Sequence, residues 1–408
     1  MSSVNFLEKL LDGANVSWMN LEDVAIKISS GGTPKTGVAD YYDGDIPWLR
    51  TQEVDFGEIW DTSVKITDLG LCNSSANWIP KNCVIIAMYG ATVGKIGINK
   101  IPMTTNQACA NIQINDEIAN FKYVFHYLWS QYEYIKSLGT GSQTNINAGI
   151  VRKLKIPIPC PDNPKKSLEI QAEIVRILDA MTAHTAELTA ELTAELAARK
   201  KQYNYYRDKL LSFEDGEVEW KMLGEIAEYS KSRISFDRIN EDNYVGVDNL
   251  LQNRAGKTKS NYTPTSGNLT EFRAGDILIG NIRPYLKKIW HSDRIGGTNG
   301  DVLVIRPTHE NINSRYLYQV LADDNFFEYD MQHAKGAKMP RGNKDEILKY
   351  RIPLPSLSEQ ARIVAILDKF DALTTSITEG LPREIALRQK QYAYYRDLLL
   401  SFPQAQAA

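Results

Sequence analysis

The spacing of apolar and polar positions divides the chain into two kinds of segment. Two stretches follow the three-to-four spacing of a helix that buries one stripe. In the first, Ile170, Ile174, Ile177, Met181, Thr185, Leu188, Leu192, Arg199, Tyr203, Tyr206 and Leu210 share one seam, which predicts a helix over 167–213. At a rise of roughly 1.5 Å per residue it would run about 70 Å. In the second, Ile363, Ile366, Phe370, Leu373 and Ile377 carry the seam. Gly380-Leu381-Pro382 then interrupts it, which predicts a kink or a restart. Outside these helices, short β-branched runs bounded by Gly, Asn and Pro predict strands at 83–87, 96–98, 276–280 and 302–306. Residues 121–138 and 314–329 read as helices that close each strand-rich lobe.

The pattern also repeats. KKQYNYYRDKLLSF at 200–213 returns as QKQYAYYRDLLLSF at 389–402, identical at 11 of 14 positions. SLEIQAEIVRILD at 167–179 returns as SLSEQARIVAILD at 356–368, identical at 9 of 13, and both pairs share an offset of 189. Units of this size indicate duplicated modules, since solenoid periods are roughly 20–50 residues. The lobes repeat more faintly. WMNL at 18–21 matches WKML at 220–223, and KNCVIIA at 81–87 matches AGDILIG at 274–280. The second register, offset 193, also aligns Lys95 with Lys288 and Asn106 with Asn299. IPIP at 156–159 matches IPLP at 352–355, where proline ends each lobe. LEKLL at 7–11 resembles RDKLL at 207–211, and each precedes a lobe. The expected order is helix end, lobe, helix, lobe, helix, a circular arrangement with pseudo-two-fold symmetry. The expected fold is α+β: two similar α/β lobes separated by two long helices packed as an antiparallel coiled coil. The expected boundaries are 1–159, 160–213, 214–355 and 356–402, with a tail at 403–408.

Net charge of −3 and pI near 6.1 do not suggest a nucleic-acid binder. The charge is unevenly placed, however. Residues 81–155 hold eight Lys/Arg against three Asp/Glu, and 254–306 hold nine against four. The acid gathers on the first long helix (Glu169, Glu173, Glu187, Glu191, Glu195) and just after it (Glu214, Asp215, Glu217, Glu219). Two basic blocks separated by acidic helix suit two DNA-contacting lobes on a neutral scaffold. No apolar run nears the roughly 20 residues that span a bilayer. The first residues lack a signal-peptide pattern. Cys72, Cys83, Cys109 and Cys160 are scattered, so reduced and mostly buried thiols in a cytoplasmic protein are expected.

Catalytic motifs are missing. Gly90-ATV-Gly94-Lys95 has three residues between its glycines where a phosphate loop has four, and Ile96 stands where Ser or Thr would. There is no Pro-Pro dipeptide, so the Asn/Asp-Pro-Pro loop of amino-methyltransferases is absent. Glu219-Trp220-Lys221 matches only the tail of a nuclease motif. The residues alone leave three readings: a DNA reader, an enzyme, or a coiled-coil adaptor that reads no DNA.

The paired KQYxYYRDxLLSF helix ends, three tandem TAEL units at 185–196, the IPxP segments leading into IQA/EQA helix starts, and GATVGKIG with TTNQA carry a resemblance. The chain resembles the specificity (S, HsdS) subunit of type I restriction–modification systems, most closely the IC group, over essentially its whole length. The resemblance implies two target recognition domains, each reading one half of an asymmetric split site on double-stranded DNA. It implies helices that set the spacing and dock two methylation (M) subunits. Those partners would carry S-adenosylmethionine and methylate adenine. Restriction (R) subunits would add ATP- and Mg-dependent translocation and cleavage in phage defence. No catalytic residue, cofactor or metal is expected in this chain. Base reading needs polar side chains on loops. In lobe 1 the candidates are Thr33, Lys35, Arg50, Gln52, Tyr89, Thr92, Lys95, Thr105, Asn106, Gln107, Ser142, Gln143, Thr144 and Asn145. In lobe 2 they are Ser232, Arg233, Asn281, Arg283, Tyr285, Lys287, Lys288, Asn299, Lys335, Lys338 and Arg341. The helix ends supply candidate M-subunit contacts: Tyr203, Tyr205, Tyr206, Arg207, Tyr392, Tyr394, Tyr395 and Arg396.

Overall fold

The computed structural model describes residues 6–139, 145–214, 216–375 and 380–403. The chain forms two compact units, Met1–Glu187 with Gln389–Ala408, and Leu188–Arg388.

In the first unit a five-stranded sheet has the order Ala25–Ser30, Cys109–Ile114, Val84–Ala87, Ile96–Asn99, Glu58–Ile59. Side chains alternate across its central strands. Val84 and Ile86 face a core with Ile96, Ile98, Ile112, Tyr123, Val124 and Leu128. Cys83, Ile85 and Ala87 face a second cluster with Leu49, Val54, Ile79 and Met103. In the second unit the corresponding sheet runs Ala227–Tyr229, Val302–Pro307, Ile277–Gly280, Ile289–His291. Ile277 and Ile279 pack with Tyr316 and Leu317, while Leu278 faces Val245, Leu250 and Phe272. Each lobe also closes on a two-stranded ribbon whose registers match. Trp18 lies opposite Pro157 and Trp220 opposite Pro353.

The duplication extends to buried polar contacts. Asn120 caps the helix Phe121–Ser130 and Asn313 caps Ser314–Leu321. Gln171 Oε1 accepts from the Asn120 backbone N–H at 2.8 Å, and Gln360 Oε1 accepts from Asn313 N–H at 2.8 Å. Asp179 takes bonds from Lys122 and His126, and Asp368 takes bonds from Arg315 and Gln319. The motif that opens each long helix therefore fastens that helix to the lobe before it.

The long helix spans Pro164–Leu211 without a break, and its latter part, from Leu188, belongs to the second unit. In the first unit it runs antiparallel to the last helix, Leu381–Leu399. The Thr182 and Tyr392 hydroxyls meet at 2.8 Å, while Ile174 and Leu178 share a core with Leu399 and Leu400. In the second unit it runs antiparallel to Leu357–Thr375. Tyr203 and Tyr206 stack on Phe370, while Leu210 and Leu211 pack with Ile363 and Leu367. Each unit thus holds the end of a repeated helix whose beginning belongs to the other. Between the packed ends, Thr185, Leu188, Leu192 and Arg199 are only half-buried.

Some sequence expectations need correction. The helix expected over 121–138 is two, Phe121–Ser130 and Tyr132–Ser137, because Gln131 leaves helical geometry at ψ 11°. The helix expected over 314–329 is likewise two, Ser314–Leu321 and Asp324–His333, because the Asp323 side chain accepts from Asn325 N–H and caps a new start. Pro382 sits in the first turn of the last helix, where its missing N–H costs nothing. Of the cysteines, Cys83 and Cys109 are buried, Cys72 is exposed and Cys160 is intermediate. The seam position Ile377, the acidic Asp215 and tail residues 404–408 lie outside the described residues. Among the described residues no helix is long and apolar enough to cross a membrane.

Candidate nucleic-acid interface

In lobe 1 most candidate loops gather beyond the same end of the central strands, joined by hydrogen bonds. Gly32 N–H donates to Thr105 O at 2.9 Å, and Asn106 N–H to Leu49 O at 2.9 Å. The Thr33 hydroxyl donates to the Gln107 side chain, and the Thr92 hydroxyl donates to Thr51 O at 2.7 Å. Ile146 N–H reaches Met88 O at 3.0 Å, which ties the segment that follows Asn145 to the end of the Val84–Ala87 strand. Gly31 permits the close approach, since a Cβ there would stand 1.8 Å from Thr105 O. On this surface Lys35, Gln52, Tyr89 and Gln107 are exposed. Arg50 is half-buried, bonded to Ser63 at 3.0 Å and beside Glu53.

Lobe 2 gathers its loops in the same place. Asn281 N–H donates to Asp301 O at 2.8 Å, Gly342 N–H to Asn281 O at 3.1 Å, and Arg283 N–H to Pro340 O at 2.7 Å. Lys335 and Arg341 exchange backbone bonds at 2.8 and 2.9 Å. The Asn299 side chain accepts from Asp301 N–H, and Arg341 pairs with Asp301 at 3.2 Å. Arg283, Tyr285, Lys335, Lys338 and Arg341 are exposed.

Several candidates are placed elsewhere or engaged inside the lobe. Thr105 is fully buried and accepts from Asn111 Nδ2 at 2.7 Å, so it braces the loop from within. Asn281 is 8% exposed and holds its neighbours through its backbone. Lys95 pairs with Asp55 at 2.7 Å, Lys287 with Asp324 at 2.6 Å, and Lys288 donates to Val247 O at 2.7 Å. Ser232 and Arg233 are not joined to the loop cluster. Ser232 accepts from Arg306, which holds Asp276 at the start of the Ile277–Gly280 strand, whereas the loops gather beyond Gly280. Ser142, Gln143 and Thr144 lie outside the described residues.

Sequence reading missed Asp330 and Asp324. Asp330 is 1% exposed in the helix Asp324–His333, and among the described residues neither of its carboxylate oxygens has a hydrogen-bond partner. A Cβ on Gly342 would stand 2.4 Å from Asp330 Oδ1 and 2.8 Å from Asn281 Oδ1. Burial pushes the Asp330 carboxyl up to about 6. Asp324 accepts from both Lys287 and Arg254. Neither acid lies in a polar loop motif, so only the fold reveals them.

The repeated helix ends split into two faces. Tyr203, Arg207, Tyr392 and Arg396 turn inward, contrary to the docking role expected of them. Tyr203 donates to Gln319 at 3.1 Å, and Arg207 lies 4.1 Å over the Tyr203 ring and bonds Ala322 O. Arg396 lies 5.2 Å over Trp129, which also meets Tyr392. Tyr205, Tyr206, Tyr394 and Tyr395 are exposed. The pairs have matching geometry, with ring centroids 5.5 Å apart in one copy and 5.4 Å in the other.

Two copies of one lobe, each gathering polar loops at one edge, define a duplicated recognition protein. The sequence model of the family described as Type I restriction modification DNA specificity domain matches residues 15–198 and 216–387. The chain is 37% identical over 99% of its length to the Type I restriction enzyme EcoR124I/EcoR124II specificity subunit of Escherichia coli, covering 98% of that protein. It is 34% identical to the EcoprrI specificity subunit of the same organism, with 93% of each covered. Among solved structures, a chain described under complex assembly and conformational transition of the type I R-M system aligns with TM-score 0.65 at 18% identity, covering 94% of this chain and 97% of that one. The chain belongs to the type I restriction–modification DNA specificity family and is a DNA sequence-recognition subunit.

Proposed function

We propose that the chain acts without catalysis, as the reader of a cytoplasmic type I complex on double-stranded DNA. Lobes within 1–159 and 214–355 each read one half of a bipartite site. The helices of 160–213 and 356–402 set the unread spacing. The observation that carries this is the repeated loop edge: the same backbone frame gathers different exposed side chains in each lobe, so the two half-sites differ. The exposed pairs Tyr205–Tyr206 and Tyr394–Tyr395 each dock one methylation subunit, since exposed aromatics are favoured interface anchors. S-adenosylmethionine belongs to those subunits, and ATP and Mg to restriction subunits where these are present. Serving methylation alone is equally compatible with the same loops.

Binding of duplex DNA by the complex, measured from low to moderate salt, tests the reading. Phosphate contacts from exposed cations make affinity fall steeply with salt. Affinity that is independent of both sequence and salt would favour an adaptor.

A further inference from the structure

The turn after the central strand is left-handed at the same two places in both lobes but carries different residues there. In the offset-193 register Gly90 matches Arg283 and Gly94 matches Lys287. All four are left-handed, with φ of 83° and 81° at the glycines and 54° and 50° at Arg283 and Lys287. Two bonds of the turn agree too, although Gly94 N–H donates to Ala87 O and Lys287 N–H to Pro284 O. Ala87 N–H donates to Lys95 O at 2.9 Å, and Gly280 N–H to Lys288 O at 3.0 Å. Val93 N–H donates to Gly90 O at 3.2 Å, and Leu286 N–H to Arg283 O at 2.9 Å. Glycine adopts this backbone freely, while a Cβ crowds the following carbonyl. Lobe 2 therefore keeps two long, strained residues where its sister uses glycine. Strain maintained at a matched position points to function.

The strained turn is clamped. Asn253 N–H donates to Leu286 O and Arg254 N–H to Lys287 O, both at 2.9 Å. Asp324 holds Lys287 Nζ at 2.6 Å and also the Arg254 guanidinium. Lys288 is tied to Val247 O. Arg254, Lys287 and Lys288 are thus engaged internally. Arg283 is exposed, and among the described residues its guanidinium has no protein partner.

We propose that Arg283 is a base-reading specificity determinant of lobe 2, positioned by Asp324 through Lys287 at the far end of the turn. This rests on the reading that the lobes bind DNA. A free guanidinium on a clamped turn suits the paired O6 and N7 acceptors of guanine in the major groove. The flexible ammonium groups of Lys335 and Lys338 suit phosphates. Lobe 1 has glycine at the matched place and makes no such contact from this turn.

The test maps adenine methylation by the complex with its methylation subunits for wild type, Arg283→Gly, Arg283→Lys and Asp324→Asn. Arg283→Gly installs the sister lobe's residue, so the turn is retained. The expected result is loss of one G·C requirement in one half-site, with discrimination there falling about tenfold to a hundredfold. The other half-site and the spacing stay unchanged. Arg283→Lys keeps overall methylation but not the discrimination, and Asp324→Asn relaxes the same position. An unchanged motif in Arg283→Gly would overturn the proposal. So would uniform loss of methylation by an assembled complex, which would make Arg283 a phosphate contact. A wild-type complex giving no bipartite motif would instead overturn the DNA-reading assignment, and this proposal with it.

Discussion

Replacing Gln360 with alanine should loosen lobe 2 from its helix. The side chain is fully buried and makes three bonds, all to backbone. Its amide donates to Asn311 O and Pro355 O at 2.8 Å each, and its carbonyl accepts from Asn313 N–H at 2.8 Å. Each buried backbone group left without a partner costs about 1–3 kcal/mol. The Asn311 and Asn313 bonds are partly buried, so water recovers some of the loss, leaving about 2–4 kcal/mol in all. Native-state hydrogen exchange reads the units separately. Protection over Ser314–Leu321 should fall by roughly 30- to 1000-fold at 1.4 kcal/mol per decade, while Phe121–Ser130 in the other unit stays unchanged. Gln171→Ala should give the mirror result. Gln360→Glu should not rescue, because it places a carboxylate against two carbonyls. A loss of protection under threefold, or an equal loss in both units, would refute the reasoning.

Other expectations follow from the same contacts. Asp330 has a folded-state pKa raised to about 6, so its stability cost is absent below the unfolded value near 3.8 and complete above 6. Asp330→Asn should therefore stabilise the second unit by about 1–3 kcal/mol at pH 8 and by nothing near pH 3.5, as read by urea unfolding; equal effects at both pH values would count against it. Tyr205→Ala with Tyr394→Ala should weaken co-purification with methylation subunits while leaving thermal unfolding of the chain unchanged. Deleting one TAEL unit removes about 6 Å of helix, against roughly 3.4 Å per base pair. It should shorten the unread spacer by one or two base pairs and leave both half-sites intact; a changed half-site in the methylation map would contradict this.

The duplicated frame was legible because it rests on local signals. Apolar spacing marked the helix Pro164–Leu211, β-branched runs marked Val84–Ala87 and Ile277–Gly280, and the offsets matched the lobes. The two split helices were not legible, since Gln131 and Asp323 break them through backbone geometry and a local cap rather than through Pro or Gly. The gathered loop edge was legible as polar loops but not in which of their side chains face outward. Thr105 and Asn281 have the polarity of base readers, yet they lie inward because the loops converge over them. The repeated tyrosines and arginines looked equivalent in sequence, but helical rotation buries Tyr203 and Arg207 while exposing Tyr205.

The central claim is that each lobe reads one half of a split site. The most direct measurement co-expresses the chain with its methylation subunits and maps methylated adenine across the host genome. The account predicts one bipartite motif with unlike halves and a fixed unread spacer. A stable complex that methylates no defined motif, or one that methylates a single continuous or palindromic site, would contradict it.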